Sequence, residues 1–203
     1  MKKYEFTGEA KEFFGRTLHR IRAVIDFGDV KAGNLGGWIE KEENLSHEGK
    51  AWVSGQACIS GEACVFDEAC ISGQACIFGQ ARIYGQACIS GEACIYGRAC
   101  IFDEACIYGE ARISGQARIS GEACIYGQYQ HAVIGPMGSR NDFTTFFRSE
   151  NLEICVTCGC FRGNINAFAE KVKETHGDNE HAKRYMAAIE FAKACIDLTP
   201  EAE

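Results

Sequence analysis

The sequence predicts a mainly β protein whose central part is a parallel β-solenoid, a chain that coils around a narrow core. Two regularities carry this prediction. Alanine recurs every six residues from Ala51 to Ala123, thirteen times without a slip. Two positions after each alanine comes Ile or Val, from Val53 to Ile125, and two positions further comes Gly or Asp. A fixed period of this kind is typical of stacked repeats.

Each repeat unit predicts one short strand and one corner. Side chains alternate along a strand, so the alanine and the aliphatic residue face the core, and the residue between them faces outward. The glycine supplies the backbone freedom that a corner needs. Three units close a coil of eighteen residues, and successive coils stack about 4.8 Å apart. Residues 51–128 are therefore expected to form a little over four coils.

This repeat resembles the hexapeptide-repeat family, and the resemblance implies a left-handed parallel β-helix. It departs from the family at one point, because Ser, Phe or Tyr stands here between the aliphatic residue and the Gly. The family includes acyltransferases, in which acyl-coenzyme A lies along the helix and a His acts as general base. No His occurs between Ala51 and Gln128. Acyl transfer is therefore the least favoured function, and we expect a protein that is not an enzyme.

Nine of the thirteen cysteines occupy the outward position before the aliphatic residue. Stacking by eighteen residues aligns that position in three columns: Cys58, Cys76, Cys94 and Arg112; Cys64, Arg82, Cys100 and Arg118; and Cys70, Cys88, Cys106 and Cys124. The columns allow a thiol ladder for metal, redox cross-links, or cysteines tolerated in copied repeats. Arg alternates with Cys at equivalent sites, which favours the last interpretation because a metal site needs a fixed ligand geometry.

A second outward column places Phe66, Tyr84 and Phe102 above one another on one face. Exposed aromatic strips of this kind favour contact with another subunit. We therefore expect a homo-oligomer, either a dimer or a trimer, with these three residues at the contact.

The segments on either side of the repeats predict a cap and a second domain. In residues 1–50, alternating residues around a turn near Phe14 and Gly15 predict strands that cover the open end of the solenoid. Residues 129–203 predict a small α+β domain: strands, then a helix that begins after Asn164 and ends at Gly177, then a helix from about Asn179 to Ile196. We call residues 129–203 the tail domain.

Charge and hydropathy argue against general nucleic-acid binding, membrane spans and secretion. The net charge of −7 argues against general binding to nucleic acid through its phosphates. No apolar run approaches the length of a membrane span, and the start of the chain lacks the apolar core of a signal peptide. We expect a cytoplasmic protein.

The stretches "GPMGSRNDFTTFF", "CGCFRG" and "THGDNEHAKRYMAAIE" in the tail domain, with "HRIRAVIDFGDVKAGNLGGWIEKEENLS" before the repeats, resemble phage and prophage proteins that carry hexapeptide repeats. The resemblance implies a phage-derived protein of the bacterial host cytoplasm. It brings no catalytic motif to this chain.

The tail domain also contains a set of residues that could bind a metal. Cys155, Cys158 and Cys160 with His176 or His181 would make a Cys3His set. Their spacing differs from the common zinc patterns, and alternation along a strand would point Cys155 away from Cys158. Cys160 before a helix is a conceivable nucleophile, but no other part of such a site accompanies it. We therefore expect no metal, no cofactor and no catalytic residue.

Two tail segments instead predict an anion site. Ser139 and Arg140 lie in a glycine-rich turn, Arg162 and Gly163 precede a helix whose free N–H groups favour an anion, and Arg148 ends a strand between them. Arg pairs well with phosphate oxygens. We therefore expect a binding protein that sequesters a small anionic ligand, for example a host nucleotide immune signal. The alternative is a structural scaffold or virion-associated part, in which the solenoid is a spacer.

Overall fold

The computed structural model describes residues 2–200, and its centre is a three-sided parallel β-solenoid. Thirteen two-residue strands follow one another at the outward and aliphatic positions of the repeats. They are Trp52–Val53, Cys58–Ile59, Cys64–Val65, Cys70–Ile71, Cys76–Ile77, Arg82–Ile83, Cys88–Ile89, Cys94–Ile95, Cys100–Ile101, Cys106–Ile107, Arg112–Ile113, Arg118–Ile119 and Cys124–Ile125. Every third strand pairs in parallel register, so the predicted eighteen-residue coil and its three columns are confirmed.

The alanines and aliphatic residues of the repeats form the continuous core of the solenoid. None of the thirteen alanines is more than 2% exposed, and the aliphatic residues are equally enclosed. Each buried Ile contributes about 1.5–3 kcal/mol to folding. At two corners Asp replaces Gly: Asp67 and Asp103 adopt φ values of 61° and 60°, a left-handed conformation that Asp tolerates better than most residues.

An antiparallel hairpin covers the N-terminal edge of one face, in agreement with the predicted cap. Its strands β1 (Tyr4–Phe13) and β2 (Arg16–Ala23) flank a turn at Phe14 and Gly15. β2 pairs antiparallel with β3 (Leu35–Ile39), which pairs in parallel with Cys58–Ile59. A short 3₁₀ helix, Glu42–Asn44, completes this first coil. The hairpin therefore satisfies the backbone groups that an open edge would expose.

The tail domain consists of a four-stranded antiparallel sheet and two helices. The strands run in sheet order His131–Met137, Asp142–Arg148, Ile154–Cys158 and Phe161–Asn164. The helices are α1 (Ile165–His176) and α2 (Glu180–Cys195). The predicted N-cap of α1 is confirmed, since the Asn164 side chain accepts a hydrogen bond from the Ala167 N–H at 2.9 Å.

The two faces of the tail sheet have different neighbours because side chains alternate along its strands. Phe146 and Val156 face the helices, whereas Phe147 joins the core of the solenoid. The Thr145 hydroxyl accepts a hydrogen bond from the backbone N–H of Arg118 at 2.9 Å. The sheet therefore docks on the last coils with one face and carries the helices on the other.

The thirteen cysteines, all within residues 2–200, are free thiols. Between residues 2 and 200, no helix has both the length and the apolar character that a membrane span requires.

Candidate functional site

A pocket of about 390 Å³ opens on the helix side of the tail domain, and we call it the tail pocket. Two sheet turns form one wall, at Ser139–Arg140 and at Gly159–Cys160. The opposite wall comes from α1 and α2, and it includes Lys171, His176 and Tyr185. The sequence folds this way locally because Gly138 and Gly159 adopt positive φ values, which let the two turns bend toward the helices.

The rim of the tail pocket carries two cations. Arg140 is exposed and has no ion-pair partner within residues 2–200, and its guanidinium lies close to the backbone of Gly159. Lys171 pairs with Glu174 at 2.8 Å on the surface of α1, an exposed contact that contributes little. Asp142 also lines the pocket and accepts a hydrogen bond from the Phe143 N–H at 2.8 Å. Because Lys171 already pairs with Glu174, the rim favours an anion mainly through the guanidinium of Arg140, which forms no ion pair within residues 2–200.

The floor of the tail pocket is apolar and aromatic. Phe161, Phe168 and Val172 line it, and Phe168 packs its edge against Tyr185 at a centroid distance of 5.6 Å. The ring of His176 stacks on Tyr185 at 5.7 Å. An aromatic floor beneath a cationic rim fits a ligand with a flat apolar part and an anionic group.

A short hydrogen-bonded chain lies at the inner end of the pocket. The buried Thr144 hydroxyl donates to Cys158 Sγ at 3.2 Å, and the Cys158 thiol donates to Tyr185 Oη at 3.7 Å. Burial raises the pKa of Tyr185 to about 12, so its hydroxyl stays neutral at pH 7. Gly138 passes directly over this hydroxyl, where a Cβ atom would collide with Oη. This contact and the positive φ of 70° both favour Gly at position 138.

The structure separates the five residues expected to bind one anion. Ser139 and Arg140 lie at the tail pocket. Arg162 lies on the solenoid side, because Phe161 faces the helices and the next side chain along the strand faces the opposite way. The backbone of Gly163 borders the same solenoid-side pocket as Arg162. Arg148 is buried at the end of the solenoid, where its guanidinium lies over the ring of Tyr126.

Lys171, Tyr185 and the aromatic floor were not predicted as part of a site. One signal for them was present in the sequence. Lys171 and Thr175 are four residues apart and therefore share a helix face, beside Val172 and His176. The sequence does not indicate which face of the sheet the helices cover. That placement determines which residues line the pocket.

Of the five residues considered for a metal, Cys158, Cys160 and His176 line the tail pocket, whereas Cys155 lies on the other side of the sheet. Cys155 packs against the solenoid core, and Cys158 packs in the helix-side core of the tail domain. Within residues 2–200, no group of three or more His, Cys, Asp or Glu side chains has an arrangement that could hold a metal ion.

Part of the aromatic surface that we expected to contact another subunit is covered by the chain itself. Phe66, Tyr84 and Phe102 stack face to face, with centroid distances of 5.0 and 5.1 Å. Phe102 is buried because Arg162 covers it, while Phe66 and Tyr84 are half-buried. A dimer or trimer stays a prediction, and the rings left to form such a contact are Phe66 and Tyr84.

Comparison with known proteins gives one partial match. No protein-family model matches the chain. The chain is similar to a protein of Escherichia coli (strain K12) named "Uncharacterized acetyltransferase YdcK", with 38% identity over 61 residues. The match covers 26% of this chain and 19% of YdcK, so the chain spans less than a fifth of that relative's length. The solenoid and this similarity together fit a hexapeptide-repeat β-helix.

The similarity corrects our expectation of a protein that is not an enzyme. That expectation depended on the absence of His from residues 51–128, and a relative named as an acetyltransferase contradicts it. A general base need not belong to the repeats, because the tail domain forms a pocket of its own. His176 of α1 lines the tail pocket beside Cys158 and Cys160.

Proposed function

We propose that the chain binds a small organic anion with an aromatic part, of which a nucleotide is one example, in the tail pocket. The observation that carries the proposal is the combination of Arg140 and Lys171 on the rim with Phe161 and Phe168 on the floor. The guanidinium and ammonium groups would hold the anionic group through charge-assisted hydrogen bonds, and the floor would take the flat ring.

The polar and apolar parts of the pocket have different roles in this proposal. Arg140 has a rigid planar fork and no ion-pair partner within residues 2–200, so binding an anion breaks no existing ion pair. The Tyr185 hydroxyl is held by the Cys158 thiol and is neutral at pH 7. It would therefore shape the inner end of the pocket without repelling an anion.

The experiment begins with native mass spectrometry of the full chain purified from cell lysate, to identify a small molecule that co-purifies. That molecule, or the nucleotide that gives the largest thermal shift in a panel, is then titrated against Arg140→Ala and Arg184→Ala. Losing one charge-assisted contact costs about 1.5–3 kcal/mol, so Arg140→Ala should bind about tenfold more weakly or worse. Arg184 is exposed on α2 outside the pocket, and its variant is the matched control.

Arg162→Ala separates this site from the one expected at the junction of the two domains. Arg162 does not line the tail pocket, so its variant should keep the ligand-induced shift even if the unliganded protein melts earlier. Equal binding by Arg140→Ala and the parent would disprove the proposal. A spacer role without a ligand would then be the better account of the chain.

Acyl transfer is the second candidate, and the similarity to YdcK favours it. In this function the tail pocket would hold the acceptor, and His176 would take the proton from its hydroxyl or amine. The acceptor oxygen or nitrogen would bond to the acyl carbon as the thioester C–S bond breaks and the donor leaves as a thiol. Acetyl-coenzyme A incubated with the protein and its ligand tests this directly. His176→Gln should abolish transfer and retain ligand binding.

A further inference from the structure

The third face of the solenoid carries a second cluster of cations, none of which lines the tail pocket. A groove of about 550 Å³ runs along the strands Cys64–Val65, Arg82–Ile83, Cys100–Ile101 and Arg118–Ile119. Arg82, Arg98 and Arg118 line it around the thiol of Cys100. We call this surface the arginine groove.

The arrangement of the three arginines follows from the repeat. Arg82 and Arg118 occupy the outward column on either side of Cys100, with which both strands pair in register. Arg98 stands in the neighbouring corner column, two residues before Cys100. The three guanidinium groups therefore begin on three successive coils, at steps of about 4.8 Å along the axis.

The clustering of positive charge is specific to this face. Residues 51–128 contain four basic residues, Arg82, Arg98, Arg112 and Arg118, in a chain of net charge −7, and three of them line the groove. None of these three forms an ion pair with a residue in the range 2–200. Placing like charges side by side on a sheet is unfavourable for folding, so stability does not account for the cluster.

Apart from the carboxylate of Glu62, the other groups that line the groove do not repel an anion. Gln80 and Gln116 can donate amide N–H groups. The carboxylate at one end belongs to Glu62, which pairs with Lys41 at 2.6 Å.

We propose that the arginine groove binds an oligophosphate chain, such as inorganic tripolyphosphate or the triphosphate of a nucleotide. Arg82 and Arg118 begin on strands roughly 10 Å apart, so a longer anion can contact both without drawing the two like charges together, as a single phosphate would. A phosphate chain carries charge on every unit and so meets a guanidinium at each coil. An extended acidic peptide presents carboxylates on one face only every second residue, roughly 6.6–7 Å apart, so it brings fewer negative charges into the length of the groove.

The test uses the full chain, inorganic tripolyphosphate as the probe and isothermal titration calorimetry at low salt. The parent should bind tripolyphosphate more tightly than monophosphate. The double variant Arg82→Gln/Arg118→Gln should bind tripolyphosphate about tenfold more weakly or worse, because two charge-assisted contacts are lost. Both side chains are exposed and their removal relieves like-charge repulsion, so the melting temperature without ligand should not fall.

Arg112 supplies a matched control, because it occupies the same repeat position on a different face. Arg112→Gln removes one charge and should bind tripolyphosphate like the parent. The single variant Arg82→Gln, which also removes one charge, is measured beside it. Equal weakening by Arg112→Gln and Arg82→Gln would show a general charge effect and overturn the proposal. Failure of the parent to bind tripolyphosphate, or tighter binding of an oligoglutamate peptide, would overturn it as well.

Two further comparisons identify the source of the phosphate and keep the two sites apart. In the Arg140→Ala variant, adenosine triphosphate binding much more tightly than tripolyphosphate would assign the nucleotide as the ligand of the groove, while equal affinities would assign the phosphate chain alone. Arg140→Ala, the variant that tests the tail pocket, should leave tripolyphosphate binding intact. Loss of binding in that variant would place the phosphate in the tail pocket and overturn the assignment to the groove.

Discussion

The guanidinium of Arg162 lies over the ring of Phe102, with its Cζ atom 4.6 Å from the ring centroid. Arg162 belongs to the last strand of the tail sheet, and Phe102 is the uppermost ring of the aromatic stack on the solenoid. The same guanidinium contacts the carboxylate of Asp103, with Nη1 and Oδ2 3.4 Å apart. One side chain therefore joins the two domains and leaves Phe102 only 4% exposed.

This relationship predicts a measurable stability effect at the domain junction. Arg162→Ala should lower the free energy of unfolding by about 0.5–1 kcal/mol, the range for a cation–π contact at an exposed site. The exposed ion pair with Asp103 adds little to this. Urea denaturation followed by circular dichroism measures the change. Arg112→Ala removes an exposed solenoid arginine that lies over no aromatic ring of residues 2–200, so it should change the free energy of unfolding much less. Equal losses in the two variants would contradict the prediction.

The outward cysteines predict a reactive thiol within one column. Cys70 is exposed, and a hydrogen bond from Cys88 lowers the pKa of its thiol to about 7, because the Cys88 S–H stabilises the thiolate. The thiolate is the reactive form. Iodoacetamide at pH 7 should therefore alkylate Cys70 several-fold more slowly in Cys88→Ala than in the parent.

Peptide mass spectrometry after timed quenching gives the rate at Cys70. Cys124→Ala is the matched control, because Cys124 stands in the same column but pairs with Cys106 and not with Cys70. Its variant should leave the rate at Cys70 unchanged. A rate at Cys70 that is the same in all three proteins would show that the thiol pair has no effect on reactivity.

Much of the fold could be predicted because the repeat is nearly one-dimensional. Once Ala51 to Ala123 set the period, the column of every outward residue followed by counting, and the structure confirms those columns. The two helices could be predicted because their caps are local. Asn164 and Asn179 both accept hydrogen bonds from N–H groups of the first helical turn.

The candidate sites could not be predicted in the same way because they depend on how separate pieces face each other. Arg140 and Arg162 both follow glycine-containing turns, yet strand alternation and the position of the helices place them in different pockets. Arg98 shows the same limit within the repeats. The repeat period alone gives the outward column of Arg82 and Arg118. The groove forms because the corner column that contains Arg98 lies beside that outward column, and the structure shows this neighbourhood.

The half-buried His131 at the start of the tail sheet is expected to make the stability of the protein depend on pH. Its Nδ1 atom is enclosed and makes no hydrogen bond to the rest of residues 2–200. Burial lowers the pKa of His131 from 6.5 to about 4, because the charged form would lose its hydration. In the folded protein the ring therefore stays neutral through a range in which the unfolded chain takes up a proton.

The direction in which pH changes the stability follows from this difference in proton uptake. The contribution of His131 to stability is fully present above pH 6.5 and is lost as the pH falls from 6.5 towards 4. Over that window the slope is at most about 1.4 kcal/mol per pH unit. Urea denaturation at a series of pH values should show the parent losing more stability than His131→Gln between pH 7 and 4. The carboxylates that titrate at the acid end are common to both proteins, so the difference between the two curves isolates the imidazole, and parallel curves would disprove the prediction.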